Sequence, residues 1–153
     1  MRSTVTSLGL LAAAIAASPS SAKTLAICGA VSGHAYFVAK DLVSPEESGW
    51  DEDRISIGRI TLSRADNGDL DVAYVDATGD VFSSRSEGAA IVAGRMTTDE
   101  AAVLVAYPGQ TMEIYQFVRN DAGEAQVLLL QSKGSPIAKA SVLVGSCSLL
   151  DLQ

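Results

Sequence analysis

The sequence predicts an all-β protein: an antiparallel up-and-down barrel of about eight strands with its ends joined by a disulfide, or alternatively a two-sheet β-sandwich. Three observations indicate this. From residue 23 onwards, short runs rich in Val, Ile, Leu and Tyr alternate with Gly, Asp, Asn and Ser. The connections between the runs are short, which makes neighbouring strands pair antiparallel. Two cysteines, Cys28 and Cys147, lie near the two ends of this region.

Residues 1–22 have the pattern of a cleavable signal peptide. Arg2 supplies a positive charge, an apolar run follows from Leu8 to Ala17, and small residues precede a cleavage point after Ala22. The apolar run is shorter than the roughly 20 residues that a membrane-spanning helix needs. We therefore expect a bacterial periplasmic or secreted protein without a transmembrane anchor, in which residues 23–153 form a single β-barrel domain.

The strand-like runs follow one another with turn residues between them. We expect strands at about 25–31, 34–39, 55–63, 69–76, 79–84, 89–95, 101–107, 112–119, 125–132 and 138–146. Asn67 and Gly68 indicate a hairpin, because both residues tolerate positive φ. Residues 76–80 and 120–123 have the composition of similar reversals. Tyr107–Gln110 places Pro second and Gly third in a β-turn.

An exported chain with two cysteines predicts one disulfide, between Cys28 and Cys147, rather than a metal site. The bond requires Cα atoms about 5.5 Å apart, so the first and last strands should lie side by side, which favours the barrel. Closing so long a loop stabilises the fold by roughly 4–5 kcal/mol. Residues 25–28 also resemble a bacterial lipoprotein box, although Ile27 stands where that box has a small residue. Lipidation of Cys28 would leave Cys147 unpaired.

Acidic residues outnumber basic ones, 18 against 11, for a net charge of −7. Residues 41–80 contain eleven of the acids and only three cations, Arg54, Arg59 and Arg64. This charge disfavours nucleic acid and anionic membrane surfaces as partners. It allows a cationic partner, although a solvated acidic face is the commoner explanation of such a charge.

The sequence predicts one long connection, from Asp41 to Arg54. It contains the only tryptophan, Trp50, followed by Asp51, Glu52 and Asp53. Long loops in small domains often carry function, and an aromatic residue among charges is typical of an interface anchor. We expect Trp50 to be an apolar anchor and the three acids to steer a cationic partner. The alternatives are a solvated loop and a cap over one end of the barrel.

The sequence contains none of the common catalytic motifs. His34 is the only histidine, so a zinc site built from paired histidines is excluded. There is no nucleophile elbow, phosphate-binding loop or Cys-x-x-Cys pair. We assign no catalytic residue, cofactor or metal ligand. A hydrolase that uses two carboxylates stays as an alternative, because acids are abundant.

Several segments resemble small secreted proteins of alphaproteobacteria, notably rhizobia, for which no activity is assigned. The matching pieces are Ser48–Trp50, Ile55–Leu62, Tyr107–Pro108, Glu113–Phe117, Gln131–Lys133 and Lys139–Cys147. They extend over most of the chain after the signal peptide. The resemblance therefore agrees with an exported protein and implies no reaction.

A second resemblance concerns residues 32–36, Ser-Gly-His-Ala-Tyr. They are similar to the S-G-x-x-Y motif of periplasmic inhibitors of C-type lysozymes, which are small disulfide-closed antiparallel barrels. Here the motif follows the first cysteine directly, earlier than in that family. The resemblance implies that Ser32, His34 and Tyr36 contribute to binding a protein partner. The residues themselves allow a plainer interpretation, a strand that begins after a glycine.

Together these observations predict an exported, non-enzymatic binding module for a cationic protein or a small ligand, with inhibition of a cationic hydrolase as one specific case. The strand runs are poor in aromatic residues, which predicts a small filled interior and favours recognition at the surface over a deep pocket. The alternatives are a carboxylate-dependent hydrolase and a structural protein of the cell envelope.

Overall fold

The computed structural model describes residues 22–56, 58–75 and 78–153. The predicted signal peptide lies outside these residues, apart from Ala22. Eleven strands form in the described part of the chain, and all their pairings are antiparallel: β1 Lys23–Cys28, β2 Val31–Phe37, β3 Gly49–Ile55, β4 Arg59–Arg64, β5 Leu70–Val75, β6 Val81–Ser83, β7 Ala90–Met96, β8 Glu100–Tyr107, β9 Thr111–Arg119, β10 Ala125–Lys133 and β11 Lys139–Leu150. A single 3-10 turn, Pro45–Glu47, precedes β3.

The strands form one curled sheet with the order β6-β5-β4-β1-β11-β10-β9-β8-β7. The predicted neighbourhood of the first and last strands is confirmed, because β1 pairs with the end of β11. Cys28 lies opposite Cys147 in this pairing and the two form the disulfide. Their Cα atoms are 3.7 Å apart, closer than expected. The all-β class and the disulfide are therefore confirmed.

The sheet is a half-barrel and not the closed eight-stranded barrel that the sequence predicted. The two ends of the strand order are β6 and β7, which are neighbours in sequence, and no ladder joins them among the described residues. The reason lies in residues 84–89. After the amide of Ser84 donates to the carbonyl of Val72, the chain coils back and the amide of Ala89 bonds to the carbonyl of Ser84. β7 then begins beside β8, so the opening lies in the middle of the chain.

β1 and β2 lie end to end in the sheet, and so do β3 and β4 beside them. β1 and β2 both run along the same side of β11, separated only by Gly29 and Ala30. On their other side, β3 pairs with β2 and β4 pairs with β1. β4 continues the sheet by pairing with β5, whereas β3 has no further neighbour among the described strands. The predicted loop from Asp41 to Arg54 is wrong in its second half, because residues 49–55 form this strand.

The turns follow the predicted chemistry. In the β4–β5 turn the amide of Gly68 bonds to the carbonyl of Ala65, and Gly68 has φ 88°. The β9–β10 turn repeats this geometry, with the amide of Gly123 bonded to the carbonyl of Asn120 and φ 84° at Gly123. Gly109 in the β8–β9 turn also has positive φ, 73°, so the predicted Pro-Gly turn is confirmed. The predicted reversal at 76–80 includes residues 76 and 77, which lie outside the described part.

The core fills the concave side of the sheet. Alternate residues along each strand point inward and are buried, as the two-residue period of a strand requires. The largest fully buried side chains are Phe117, Leu25, Leu62, Leu129, Leu143, Val31, Val72, Val103, Val105 and Val127. The other residues of the same strands therefore face outward from the convex side.

Candidate functional site

The structure brings the seven predicted binding residues together on the β2–β3 ribbon. The register pairs Tyr36 with Trp50 and His34 with Glu52, and it places Ser32 opposite Arg54 on the same outer face. Trp50 is 71% exposed and contacts the ring of Tyr36 edge to face, with the centroids 5.6 Å apart. The two rings form a small exposed aromatic cluster at the β3 edge of the sheet. Exposed aromatic residues of this kind are common anchors in protein interfaces.

Asp53 differs from the other two acids because its side chain is largely shielded from solvent on the concave side. Its Oδ2 atom accepts hydrogen bonds from Lys139 Nζ and from Ser141 Oγ, the latter at 2.7 Å. Burial alone would raise the pKa of Asp53, but the bonds from Lys139 and Ser141 outweigh it and the pKa lies below its usual value. Asp53 is thus part of the internal packing. Asp51 and Glu52 remain exposed.

The contact between β3 and β11 depends on Gly33, which lies between them on β2. A Cβ atom at this position would lie 2.1 Å from the carbonyl oxygen of Val142. The glycine therefore lets β2 approach β11 closely. The glycine of the predicted Ser32–Tyr36 motif thus has a structural role.

The convex face carries a row of apolar side chains that sequence analysis missed. The cross-strand register aligns one residue from each of five strands, β7 to β11. We call this row the outer belt: Val92, Leu104, Ile114, Leu130 and Val142. Four of its members are 39–55% exposed, and Leu104 is half-buried. His34 and Glu52 continue the row onto β2 and β3.

Neighbouring rows extend the belt. Met112 and Tyr36 lie on one side, and Leu128 and Val144 lie on the other. On the part of this face formed by β2, β3 and β7 to β11, the charged side chains among the described residues lie at the margins: Glu52, Arg54, Arg95 and Glu100. One signal in the sequence was available. The runs 114–115, 117–118, 127–130 and 142–144 are apolar at both odd and even positions, which is typical of strands covered on both faces.

The concave side contains a cavity of about 400 Å³ at the end of the sheet where β8 and β10 finish and β9 begins. Its apolar lining includes Val31, Ile60 and Leu129, and its polar lining includes the side chains of Glu113, Gln131 and Lys133. Tyr74, Tyr107 and Tyr115 also line it. We call this the concave cavity. It is larger than the filled interior that the sequence predicted.

Two of the cavity tyrosines have perturbed hydroxyls. Burial raises the pKa of Tyr107 above its usual value, although the bond from its hydroxyl to Ser84 Oγ, 2.8 Å long, opposes the shift. Burial, assisted by the adjacent Glu113 carboxylate, raises the pKa of Tyr115 well above its usual value. Both hydroxyls therefore stay protonated at neutral pH and act as hydrogen-bond donors.

Within the described ranges, no three His, Cys, Asp or Glu side chains are grouped closely enough to hold a metal ion. No helix in the described part is long and apolar enough to cross a membrane. Cys28 has its sulfur in the disulfide, which is typical of proteins in oxidising compartments outside the cytoplasm.

Comparison with known protein families, with curated protein sequences and with solved structures found no significant match for this chain. The two resemblances noted in the sequence therefore stay predictions, and any account of function depends on the two surfaces described above, the outer belt and the concave cavity.

Proposed function

We propose that this protein is an exported, non-enzymatic module that binds a protein partner through the outer belt, with Trp50 as an anchor at its edge. The observation that carries the proposal is the register of the belt. Five apolar side chains from five successive strands form one continuous row, in which four are exposed and Leu104 is half-buried. A sheet that is covered on one side only normally alternates apolar and polar residues, so its outer face is polar.

The size of this surface supports a protein partner. Strands lie about 4.8 Å apart and residues of one face repeat about every 7 Å, so five strands and three rows cover roughly 500 Å². Within this area Gln116 and Ser132 are polar positions in the two flanking rows. Apolar patches above a few hundred Å² usually mark interaction sites on soluble proteins. An area of this order from each side is enough for a specific but modest interface.

Charge indicates the chemistry of the partner. The belt itself is uncharged, and the outer face of β3 carries Glu52 next to Trp50, with Arg54 two residues further along. The whole chain has a net charge of −7. The complementary surface is therefore apolar at its centre, and a cationic group on it can pair with Glu52 at the β3 end. A cationic hydrolase such as a lysozyme is one partner with this character, as the resemblance at Ser32–Tyr36 implies.

The hydrolase alternative has less support. Among the described residues that line the concave cavity, Glu113 is the single carboxylate. Hydrolysis by paired carboxylates needs a second one about 5–10 Å away across a groove. Asp53, the most buried of the three predicted acids, already accepts hydrogen bonds from Lys139 and Ser141. The site chemistry therefore favours binding.

Site-specific photo-crosslinking in cells tests this proposal. Val142 is replaced by a photoreactive benzoyl-phenylalanine, and Leu42, an equally apolar residue 71% exposed in the loop before β3, is replaced in the same way as a control. We expect a discrete adduct with a basic protein from position 142 alone. Adding Ile114→Glu should abolish it, because a charge then enters the interface.

Other outcomes overturn the proposal. An adduct of two copies of this chain would make the belt a dimer interface. Adducts with lipid only, or no adduct at position 142, would leave a structural envelope protein as the better explanation. When the partner is purified, its binding should also weaken as salt rises, since the steering charges at β3 are exposed.

A further inference from the structure

We infer that the concave cavity is a second binding site, which takes a small organic cation: an ammonium compound with an apolar or aromatic body, its charge held against Glu113. This inference is independent of the outer belt, because the two surfaces lie on opposite faces of the sheet. The cavity volume of about 400 Å³ is within the range of small-molecule sites.

Glu113 supplies the first part of the argument. It is a carboxylate with only 8% exposure. Its Oε2 atom accepts a hydrogen bond of 2.7 Å from the Tyr115 hydroxyl, and its Oε1 atom accepts one of 2.8 Å from Gln131 Nε2. Both donors are neutral. The ion pairs found among the described residues do not include Glu113.

A buried carboxylate without a cation is unusual, because burial of a charge is costly unless an opposite charge compensates it. Each oxygen of Glu113 has used one of its acceptor positions, so each can accept a further bond. Since Glu113 lines the cavity, a ligand in that space can provide the missing positive charge. The negative charge of the whole chain also raises the local concentration of cations.

The aromatic lining supplies the second part. Tyr74, Tyr107 and Tyr115 all line the cavity. Cations are attracted to the faces of aromatic rings, and sites that bind ammonium groups commonly surround them with several such rings. The hydroxyl of Tyr107 donates to Ser84 and that of Tyr115 donates to Glu113, so these two rings are held in fixed positions. The site is therefore largely preformed.

Lys133 limits the positive charge that the ligand can carry. It is the last residue of β10, two residues and about 7 Å along the strand from Gln131, and it also lines the cavity. Its positive charge repels a second cationic group on the ligand. The ligand is therefore a monocation, with its apolar part against Val31, Ile60 and Leu129 and with a neutral or anionic outer end.

The test compares benzylammonium with benzyl alcohol, which has nearly the same shape but no charge, by titration calorimetry on the purified disulfide-bonded protein. We expect benzylammonium to bind about tenfold more tightly or better. Glu113→Gln should abolish this preference and leave the affinity for benzyl alcohol unchanged. The matched control is Glu100→Gln, which removes the same charge from the outer face of the adjacent strand and should keep the preference.

Three results would overturn the inference: equal binding of the two compounds, no binding of either, or unchanged benzylammonium affinity in Glu113→Gln. If that variant does not fold, Tyr74→Leu provides a second test, because it removes an aromatic face and leaves Glu113 untouched. It should weaken benzylammonium binding more than benzyl alcohol binding. Ile114→Glu on the outer belt should bind benzylammonium normally, which separates this inference from the proposed partner surface.

Discussion

Asp53 on β3 forms an ion pair with Lys139 on β11, although β2 lies between the two strands. The contact is mostly shielded from solvent, since the two side chains are 13% and 17% exposed. Lys139 Nζ also lies 5.6 Å from the centre of the Phe37 ring. The pair joins the edge strand β3, whose outward side chains are largely exposed, to the strand at the centre of the sheet.

Asp53→Asn should therefore destabilise the protein. The change removes the charge that Lys139 faces and weakens two hydrogen bonds, so we expect the free energy of unfolding to fall by about 2–3 kcal/mol. Urea denaturation measures this directly. Asp51→Asn, an exposed change two residues away on the same strand, is the control and should alter stability by less than about 0.5 kcal/mol. Equal effects of both variants would contradict the structural role of Asp53.

The same pair predicts a specific pH dependence. The folded-state pKa of Asp53 lies below its usual value of 3.8, so its contribution to stability is present above that value and is lost as pH falls through the lowered pKa. We expect the stability difference between wild type and Asp53→Asn to be constant above about pH 5 and to shrink below it. Asp151 also has a lowered pKa, owing first to its bond from Lys23, but it is unchanged in both proteins and cancels.

The sequence predicted most strands because their apolar runs and turn residues are local features. β3 was missed because Gly49–Ile55 contains four charged residues and has little intrinsic preference for a strand. It forms because its backbone pairs along the whole of β2. The opening between β6 and β7 could not be predicted from the sequence either. It depends on the conformation of residues 84–89, which produces no periodic pattern of apolar residues.

The candidate site was predicted in part. Trp50 and Tyr36 were singled out separately, one as a loop residue and one from a motif, and only the register shows that they are neighbours. The outer belt joins residues from five strands, so no single segment reveals it. Glu113 carries no motif at all. Its burial follows from the alternation of β9, which places it on the concave side with Tyr115.

Gly33→Ala should be strongly destabilising. The added Cβ atom would lie 2.1 Å from the carbonyl oxygen of Val142, which is backbone and cannot rotate away. We expect a loss of about 3 kcal/mol or more, measured by urea denaturation. Gly29→Ala is the matched control, because its Cβ would meet nothing nearer than 3.9 Å. A similar stability for the two variants would show that β2 and β11 are further apart than described.

Loss of the disulfide should also be costly. Cys28 and Cys147 are separated by 119 residues, and a loop of this length restricts the unfolded chain by about 4–5 kcal/mol in the entropy model. The double variant Cys28→Ser, Cys147→Ser should therefore unfold at much lower urea concentration than the oxidised protein. Wild type treated with reductant should behave like the double variant. If it stays as stable as the oxidised form, β1 and β11 hold together without the bond.

The outer belt should be detectable without knowing its partner. Ile114 and Leu130 lie directly opposite each other on β9 and β10, so the double variant Ile114→Glu, Leu130→Lys introduces a cross-strand charge pair without altering the net charge. We expect much weaker retention on a phenyl hydrophobic-interaction column and a stability within about 1 kcal/mol of wild type, since both side chains face outward. Leu42→Ser is the control, because it removes one exposed apolar side chain outside the belt. If the double variant and the control elute together, the belt does not form a continuous apolar surface in solution.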